Sequence, residues 1–376
     1  MPAASVAIVG GGIVGCAVAY FLSECGETEV VLFERHRLAS GATGICPGGI
    51  RQQFEGEADC RLARRSLGFY ESLNGRLGSD VAFTLERTGY LFLAESPALV
   101  ERFEANVAMQ NRLGIPSEVL DADEVRRLVP RLKPDAPIVG GAFCAEDSFL
   151  EDCHGVTYAL AHAARRRGLR VEYQAVLGLE RRQHGWRLIT AVGATDVDTV
   201  VLAAGADSRA LAAGVGVALP IEAVPRRLAY SAPAPPGLLS PLVVALERGF
   251  AGKQLTSGVV YMGWLGERAD ADDLTFVEEA LERGASLLEG LDELPVRRVL
   301  SGLYDNTPDR RPLLGEVTGH EGLWLATGFS GHGFMIAPAV GEALARRICG
   351  LETDLPVADF SLDRFAARRP GEGLFI

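Results

Sequence analysis

The sequence predicts an α/β protein, with a Rossmann-like dinucleotide-binding domain interleaved with a second, α+β domain built on an antiparallel sheet. Three observations predict it. The first 34 residues read as a strand, a glycine-rich turn, a helix and a second strand closing on an acid. Another strand of the same apolar type, DTVVLAAGADS, arrives only at 198–208. The chain then leaves and comes back after Ser301 through GLWLAT, GFSGHGF and a final helix to about Cys349.

Apolar residues crowd into Val6–Val9, so SVAIVG reads as a short buried strand. Gly10, Gly12 and Gly15 follow with G-x-G-x-x-G spacing. Gly10 permits a tight turn, Gly12 lets a pyrophosphate approach the backbone, and Gly15 lets the helix lie against the strand. Ile13 and Val14 open that helix, whose N-terminal N–H groups face the phosphates. Ala19 and Leu22 continue its apolar face, and Gly26 ends it. EVVLFE is the second strand; Glu34, about 20 positions past the glycines, is placed to accept hydrogen bonds from a ribose.

A nicotinamide enzyme would continue with βα units in tandem. Here a polar, glycine-rich segment follows, ERHRLASGATGICPGGIRQQF, and the next nucleotide-type strand ends in an A-x-G turn of Ala203, Ala204 and Gly205. This split resembles FAD proteins of the glutathione-reductase type, where that turn lies beside the first strand under the cofactor.

Residues 58–78 and 97–114 have helical periodicity, while 83–96 alternates like a strand pair around a turn at Thr88-Gly89. A helix over 153–168 ends in RRRG, with Gly168 as its cap. LRVEYQAVLGLERR reads as two strands with Val176 between them. AVPRRLAYSAP, PLVVALERGF and KQLTSGVVYMGW suggest antiparallel strands of a second sheet, followed by a helix near 273–290. The expected nucleotide domain therefore comprises 1–80, 140–220 and 301–376, and the second domain 81–139 and 221–300.

The formal net charge of -12 and the absence of a basic strip argue against nucleic acid as a partner. Seven scattered cysteines without a C-x-x-C pair argue against a disulfide framework, a zinc site or a dithiol redox centre, and no metal site is expected. The N-terminal apolar run lacks a basic n-region and is broken by glycines, unlike a signal peptide. No other stretch stays apolar for about 18 residues, so no membrane span is expected and the location expected is cytoplasmic.

The motifs GGGIVG with Glu34, SGATGICPGGIRQQF, VVLAAGADS, GLYDNTPDRRPLLG and GFSGHGF, in that order, resemble the D-amino-acid oxidase/sarcosine oxidase superfamily of FAD-dependent oxidoreductases. GGIRQQF, GLYDNTPD and GFSGHGF look closest to its heteromeric sarcosine oxidase β-subunit and proline dehydrogenase branch. The resemblance implies an FAD-binding domain and a substrate-binding domain, with an amine or amino acid oxidised at the carbon next to nitrogen. A hydride equivalent would pass to flavin N5 and leave an imine, with oxygen or another acceptor reoxidising the flavin. It also implies site residues. Gly10, Gly12, Ile13, Val14, Gly15 and Glu34 match the pyrophosphate and ribose contacts, Arg35 the adenine edge, and Val176 a backbone contact to adenine. Ser40, Thr43 and Gly44 match the loop around the pyrophosphate. Gly48, Gly49, Ile50 and Arg51 match the stretch along the isoalloxazine, and Ala204 and Gly205 the turn under the cofactor. Gly328, Ser330, Gly331, His332, Gly333 and Phe334 match the segment facing the pyrimidine end, where a helix N-terminus stabilises negative charge.

Departures from better-known members bear on substrate and acceptor. Met335 stands where monomeric sarcosine oxidases have a carboxylate-binding lysine, and Tyr304 where glycine and D-amino-acid oxidases have an arginine. Gly302 replaces the cysteine that attaches FAD, which implies a noncovalent cofactor. Tyr261 aligns with a lysine that promotes reaction with oxygen, which points toward a dehydrogenase. A substrate carboxylate still needs a cation, for which Arg51 is the first candidate and Lys253 the second. An ordinary lysine would instead be solvated at the surface, the reading favoured for Lys253. His332 is expected as a contact to the cofactor rather than a base, and His154 and His162 as structural. An alternative is a flavin-carrying subunit active only with a partner chain. An NAD(P)H-dependent monooxygenase is disfavoured by the lack of a second complete G-x-G-x-x-G unit.

Overall fold

The computed structural model describes residues 4–78, 81–265 and 272–366. Two eight-stranded sheets organise it. The first runs in the order β17 (Leu313–Glu316), β18 (Leu323–Thr327), β11 (Gly193–Leu202), β1 (Ala4–Val9), β2 (Val30–Phe33) and β8 (Arg170–Glu172), with a hairpin of β9 (Val176–Arg181) and β10 (Trp186–Thr190) attached to β11. From β18 to β8 the pairings are parallel, the pattern of a nucleotide-binding sheet. The second sheet runs β16 (Val296–Asn306), β12 (Glu222–Pro233), β15 (Val259–Trp264), β14 (Phe250–Gln254), β13 (Leu242–Ala245), β4 (Tyr90–Ala94), β6 (Gly140–Cys144) and β5 (Ser117–Asp121). A two-stranded ribbon, β3 (Gly49–Ile50) with β7 (Ser148–Phe149), completes the strands.

Helix α1 (Ile13–Glu24) is apolar all round and buried from Ile13 to Ser23 because it is enclosed rather than half-exposed. It packs between the first sheet, α6 (Cys153–Arg165) and α9 (Gly333–Ile348), with α2 (Glu57–Glu71) and the short α3 (Leu73–Leu77) alongside. A Cβ on Gly15 would collide with the Gly10 carbonyl, and one on Gly341 would lie 2.7 Å from the Ala17 backbone. Glycine at these two places sets how closely α1 approaches the turn and α9. The smaller α7 (Ser208–Ala213) follows β11 on the opposite side, while α4 (Pro97–Arg112), α5 (Ala122–Leu128) and α8 (Asp273–Ala285) pack on the second sheet.

Several expectations need correction. Residues 83–96 do not form a hairpin. Only β4 is a strand, and Glu86 makes a single bridge to Phe149. The reason is that β4 is already flanked on both sides, by β13 and β6. The second sheet is mixed, since β13 and β4 run parallel. The expected boundaries at 140 and 301 do not separate the sheets, because β6 and the whole of β16 are hydrogen-bonded in the second. The expected boundary at 80 and the tail from 367 lie outside the described residues. Among the described residues no helix is long and apolar enough to cross a membrane.

Two glycine substitutions separate crowding from chain entropy. Gly341→Val is expected to lower stability by about 1–3 kcal/mol through overpacking against Ala17. Gly68→Ala, exposed inside α2 with nothing within 4 Å, should raise it by roughly 0.5–1 kcal/mol. Denaturant midpoints of the two variants check both signs.

Candidate active site

The site begins where β1 ends. Gly10 has φ +116°, and a Cβ there would collide with the Ala203 carbonyl, so the glycine turn and the A-x-G turn touch directly. Helix α1 starts at Gly12 with no side-chain cap from that residue; instead Thr43 Oγ1 accepts from the Ile13 N–H at 3.0 Å. Glu34 is buried, and its two oxygens accept from the Gly11 N–H and the His36 N–H, both at 2.8 Å. The loop is pinned back by the Ala39 N–H donating to the Gly11 carbonyl at 2.8 Å. A Cβ at Gly11 would lie 2.7 Å from Leu38 Cδ2 and 3.0 Å from Glu34, and one at Gly12 would lie 3.3 Å from Thr43 Oγ1, so side chains here would crowd the cradle. These features fit a bound dinucleotide phosphate. Arg35 sits outward and pairs with Asp207 at 2.9 Å, just past Gly205. Val176 and Ala204 pack against the apolar cluster on that side of the sheet, and Ser40 is exposed.

The second part of the site is carried by α9. His332 occupies its N-cap position without capping it by side chain, so the first N–H groups of the helix remain available. Gly333 lies beside Val14: a Cβ there would meet Val14 Cγ2 at 3.7 Å. The N-termini of α1 and α9 are therefore neighbours. The turn before α9 is held from β16: the buried Asp305 carboxylate accepts from the Gly328 N–H at 2.7 Å, and the Thr307 N–H donates to Ser330 Oγ at 3.2 Å. Gly331 has φ +91°, and a Cβ there would collide with the Tyr304 ring. Protein groups, rather than open space, approach these glycines; Gly328 is met by Thr307 and Gly302 by Ile45.

Arg51 joins the two parts. One guanidinium nitrogen lies 3.0 Å from His332 Nε2, another donates to the Gln53 carbonyl, and the group sits 4.1 Å from the Phe54 ring centroid and 5.4 Å from that of Phe92. Arginine only donates, so Nε2 accepts and the neutral ring carries its proton on Nδ1. Burial, then the positive charges of Arg51 and Arg310, push His332 down to about 3. It is not a base of useful strength at neutral pH. Burial also pushes Arg51 below its ordinary value.

Beneath Arg51 lies a support that sequence reasoning missed. Asp147 is fully buried; its Oδ1 accepts from the Gln52 N–H at 2.7 Å and its Oδ2 from Gln53 Nε2 at 2.9 Å. Burial raises its pKa to about 6 although those donors pull the other way. Tyr90 presses its hydroxyl against Gly49, and Tyr70 donates to the Phe334 carbonyl at 2.5 Å. The paired glutamines of GGIRQQF were the only local signal for this support.

Lys253 is 2% exposed, against the expectation of a solvated surface residue. Its Nζ donates to the Gln254 carbonyl at 3.1 Å, lies 3.8 Å from Glu86 Oε2, and stands 4.9 Å from the centroid of Phe149. Burial lowers its pKa, while Glu86 and Glu151 oppose that shift. Tyr261, its cross-strand partner, stacks on the same Phe149, whose own partner in the ribbon is Gly49. Met335 is buried in the apolar cluster shared by α1 and α9.

The depressed His332 has a sign that can be measured. The unfolded chain takes up that proton near pH 6.5 and the folded one only near 3, so stability is full above 6.5 and falls as pH drops through this window. His332→Asn should flatten that slope in denaturant titrations between those limits.

The FAD dependent oxidoreductase family model matches residues 5–347. The crystal structure of L-proline dehydrogenase from P. horikoshii superimposes with a TM-score of 0.89 at 30% identity, covering 97% of this chain and 98% of that one. The sarcosine oxidase subunit beta of Rhodobacter capsulatus is 26% identical over 382 residues, 99% of this chain and 89% of that protein. Mitochondrial dimethylglycine dehydrogenase of Mus musculus is 26% identical over 388 residues, 96% of this chain but 44% of that protein, so the chain spans under half its length. With a family match across nearly the whole chain, the protein belongs to the FAD-dependent oxidoreductase family, and FAD is its cofactor.

Proposed function

We propose that the chain oxidises the C–N bond of a secondary amine or imino acid bearing a carboxylate, giving an imine. The observation that carries this reading is Arg51, a guanidinium held between Phe54 and Phe92 and aimed by His332 and Gln53 beside the N-terminus of α9. The names of the three relatives add support: proline, sarcosine and dimethylglycine are all amino acids substituted at nitrogen.

Gly10, Gly12, Ile13, Val14 and Gly15 would hold the pyrophosphate of FAD, with Thr43, Ser40 and Gly44 around it. Glu34 would take the ribose, Arg35 and Val176 the adenine end, and Gly48 to Ile50, Ala204, Gly205, Gly302 and the 328–334 segment the ring system. Bound FAD supplies the two-electron acceptor, receiving a hydride equivalent at N5. Arg51 orients the substrate carboxylate by charge-assisted hydrogen bonds, and the flanking aromatic rings keep water from competing. His332 holds Arg51 in place and stays neutral. An amine bound with its lone pair free needs no strong base to start the reaction.

A second reading is favoured by the match to a protein named as a β subunit: the chain passes electrons to a partner chain rather than to oxygen. Turnover by the isolated chain with an artificial acceptor supports the first reading. Bound FAD with no turnover of any amine until a partner is added supports the second.

Arg51→Ala should raise KM for carboxylated substrates about 10–100-fold, the equivalent of roughly 1.5–3 kcal/mol for a hydrogen bond to a charged group, with a far smaller effect on amines lacking the carboxylate. Acid precipitation should release the FAD into the supernatant, because Gly302 offers no atom for attachment. Flavin remaining with the pellet contradicts noncovalent binding.

A further inference from the structure

We propose that the cavity beside Arg51 receives the side chain of the substrate, and that this side chain is short and carries a hydroxyl. The inference rests on the reading of Arg51 as the group that holds the substrate carboxylate. It adds which N-substituted amino acids the site selects. The cavity measures about 50 Å3, and Arg51, Gln53, Phe54 and Gln110 are part of its lining. Its apolar surface comes from Phe92 on β4, Ala142 on β6, Phe103 and Val107 on α4, and Leu246 just after β13.

Position and size both point to a side chain. Arg51 donates to the Gln53 carbonyl and to His332, and among the described residues its other N–H groups have no acceptor. A carboxylate held by them leaves the adjoining carbon of the substrate, and whatever that carbon bears, beside the cavity that Arg51 lines. Where about 150 Å3 admits a benzene ring, a space of this size admits roughly two or three carbon-sized groups. The walls are packed against that limit. The rings of Phe92 and Phe103 lie 6.3 Å apart, and Phe103, Val107 and Ala142 belong to one buried apolar cluster.

Two amides in the lining call for a donor. Gln110 is 3% exposed, and its Nε2 donates to the Phe54 carbonyl at 3.0 Å. Gln53 is 5% exposed, and its Nε2 donates to the Tyr90 carbonyl at 3.0 Å and to Asp147 Oδ2 at 2.9 Å. Those acceptors fix which end of each amide is the nitrogen. The other ends, Gln53 Oε1 and Gln110 Oε1, are buried without a hydrogen-bond partner. An acceptor in that state destabilises the site until a donor reaches it. An alkyl side chain brings no donor. A hydroxyl brings one, on a carbon stem that Phe103, Val107 and Leu246 can surround, and a site that pairs with a hydroxyl rejects the methyl isostere.

The test is anaerobic reduction of the FAD-bound full chain by N-methylthreonine and by N-methylvaline, both enantiomers of each. The two differ only in a hydroxyl against a methyl, and sarcosine serves as the substrate without a side chain. The second-order rate constant of flavin reduction is expected to be at least ten times larger for N-methylthreonine than for N-methylvaline. Val107→Phe fills the cavity, and it should lower the ratio of N-methylthreonine to sarcosine at least tenfold in protein whose flavin absorbance matches the parent. Equal rates for the two isosteres, or a faster valine compound, would overturn the proposal. So would reduction by sarcosine alone, or a ratio to sarcosine that Val107→Phe leaves unchanged. No bleaching by any of the three, while dithionite still reduces the flavin, removes the reading of Arg51 itself and this inference with it.

Discussion

The close packing of α1 on α9 is the constraint on which the site depends. Both helices begin at glycine turns, and their N-termini meet where Gly333 lies against Val14. Side chains at Gly15 or Gly341 would push α1 away from its turn or from α9, and the two N-termini would part. Two adjoining helix ends of this kind favour an elongated anionic ligand, the role proposed for them toward FAD. Here the fold's chemistry is set by how closely backbones can approach.

Around that axis, the functional side chains are held by buried carboxylates. Asp147 fixes the backbone and side chain that follow Arg51, and Asp305 fixes the turn that delivers His332. Each accepts from a loop backbone N–H, Asp147 from Gln52 and Asp305 from Gly328, and Asp147 also from the Gln53 side-chain amide. Arg51 and His332 then meet at 3.0 Å from segments 281 residues apart in the chain. A cation oriented in this manner loses little side-chain freedom on binding an anion, which is where its contribution to affinity arises.

The glycine turn, the first helix and Glu34 were legible in the sequence because phosphate binding demands a fixed local spacing. The second sheet was legible only as strands. Alternation identifies a strand but not its partner, so the parallel pairing of β4 with β13 and the placement of β16 could not be read from it. Lys253 was misjudged for the same reason. Its burial depends on Phe149 and Glu86, brought over it by pairings distant in sequence. Asp147 and Asp305 look like ordinary loop acids until the N–H groups they satisfy are known. The glycines of GFSGHGF signalled close approach correctly, but Tyr304 and Thr307 are among the groups that approach.

The central proposal is that Arg51 orients the carboxylate of an N-substituted amino acid. Anaerobic mixing of the purified yellow protein with proline, sarcosine and other N-substituted amino acids, each beside its decarboxylated counterpart, tests this directly. Loss of the oxidised-flavin absorbance with a carboxylated secondary amine, much slower with its decarboxylated partner, is the predicted result. An unchanged spectrum across the whole panel, in protein whose flavin dithionite still bleaches, would contradict it.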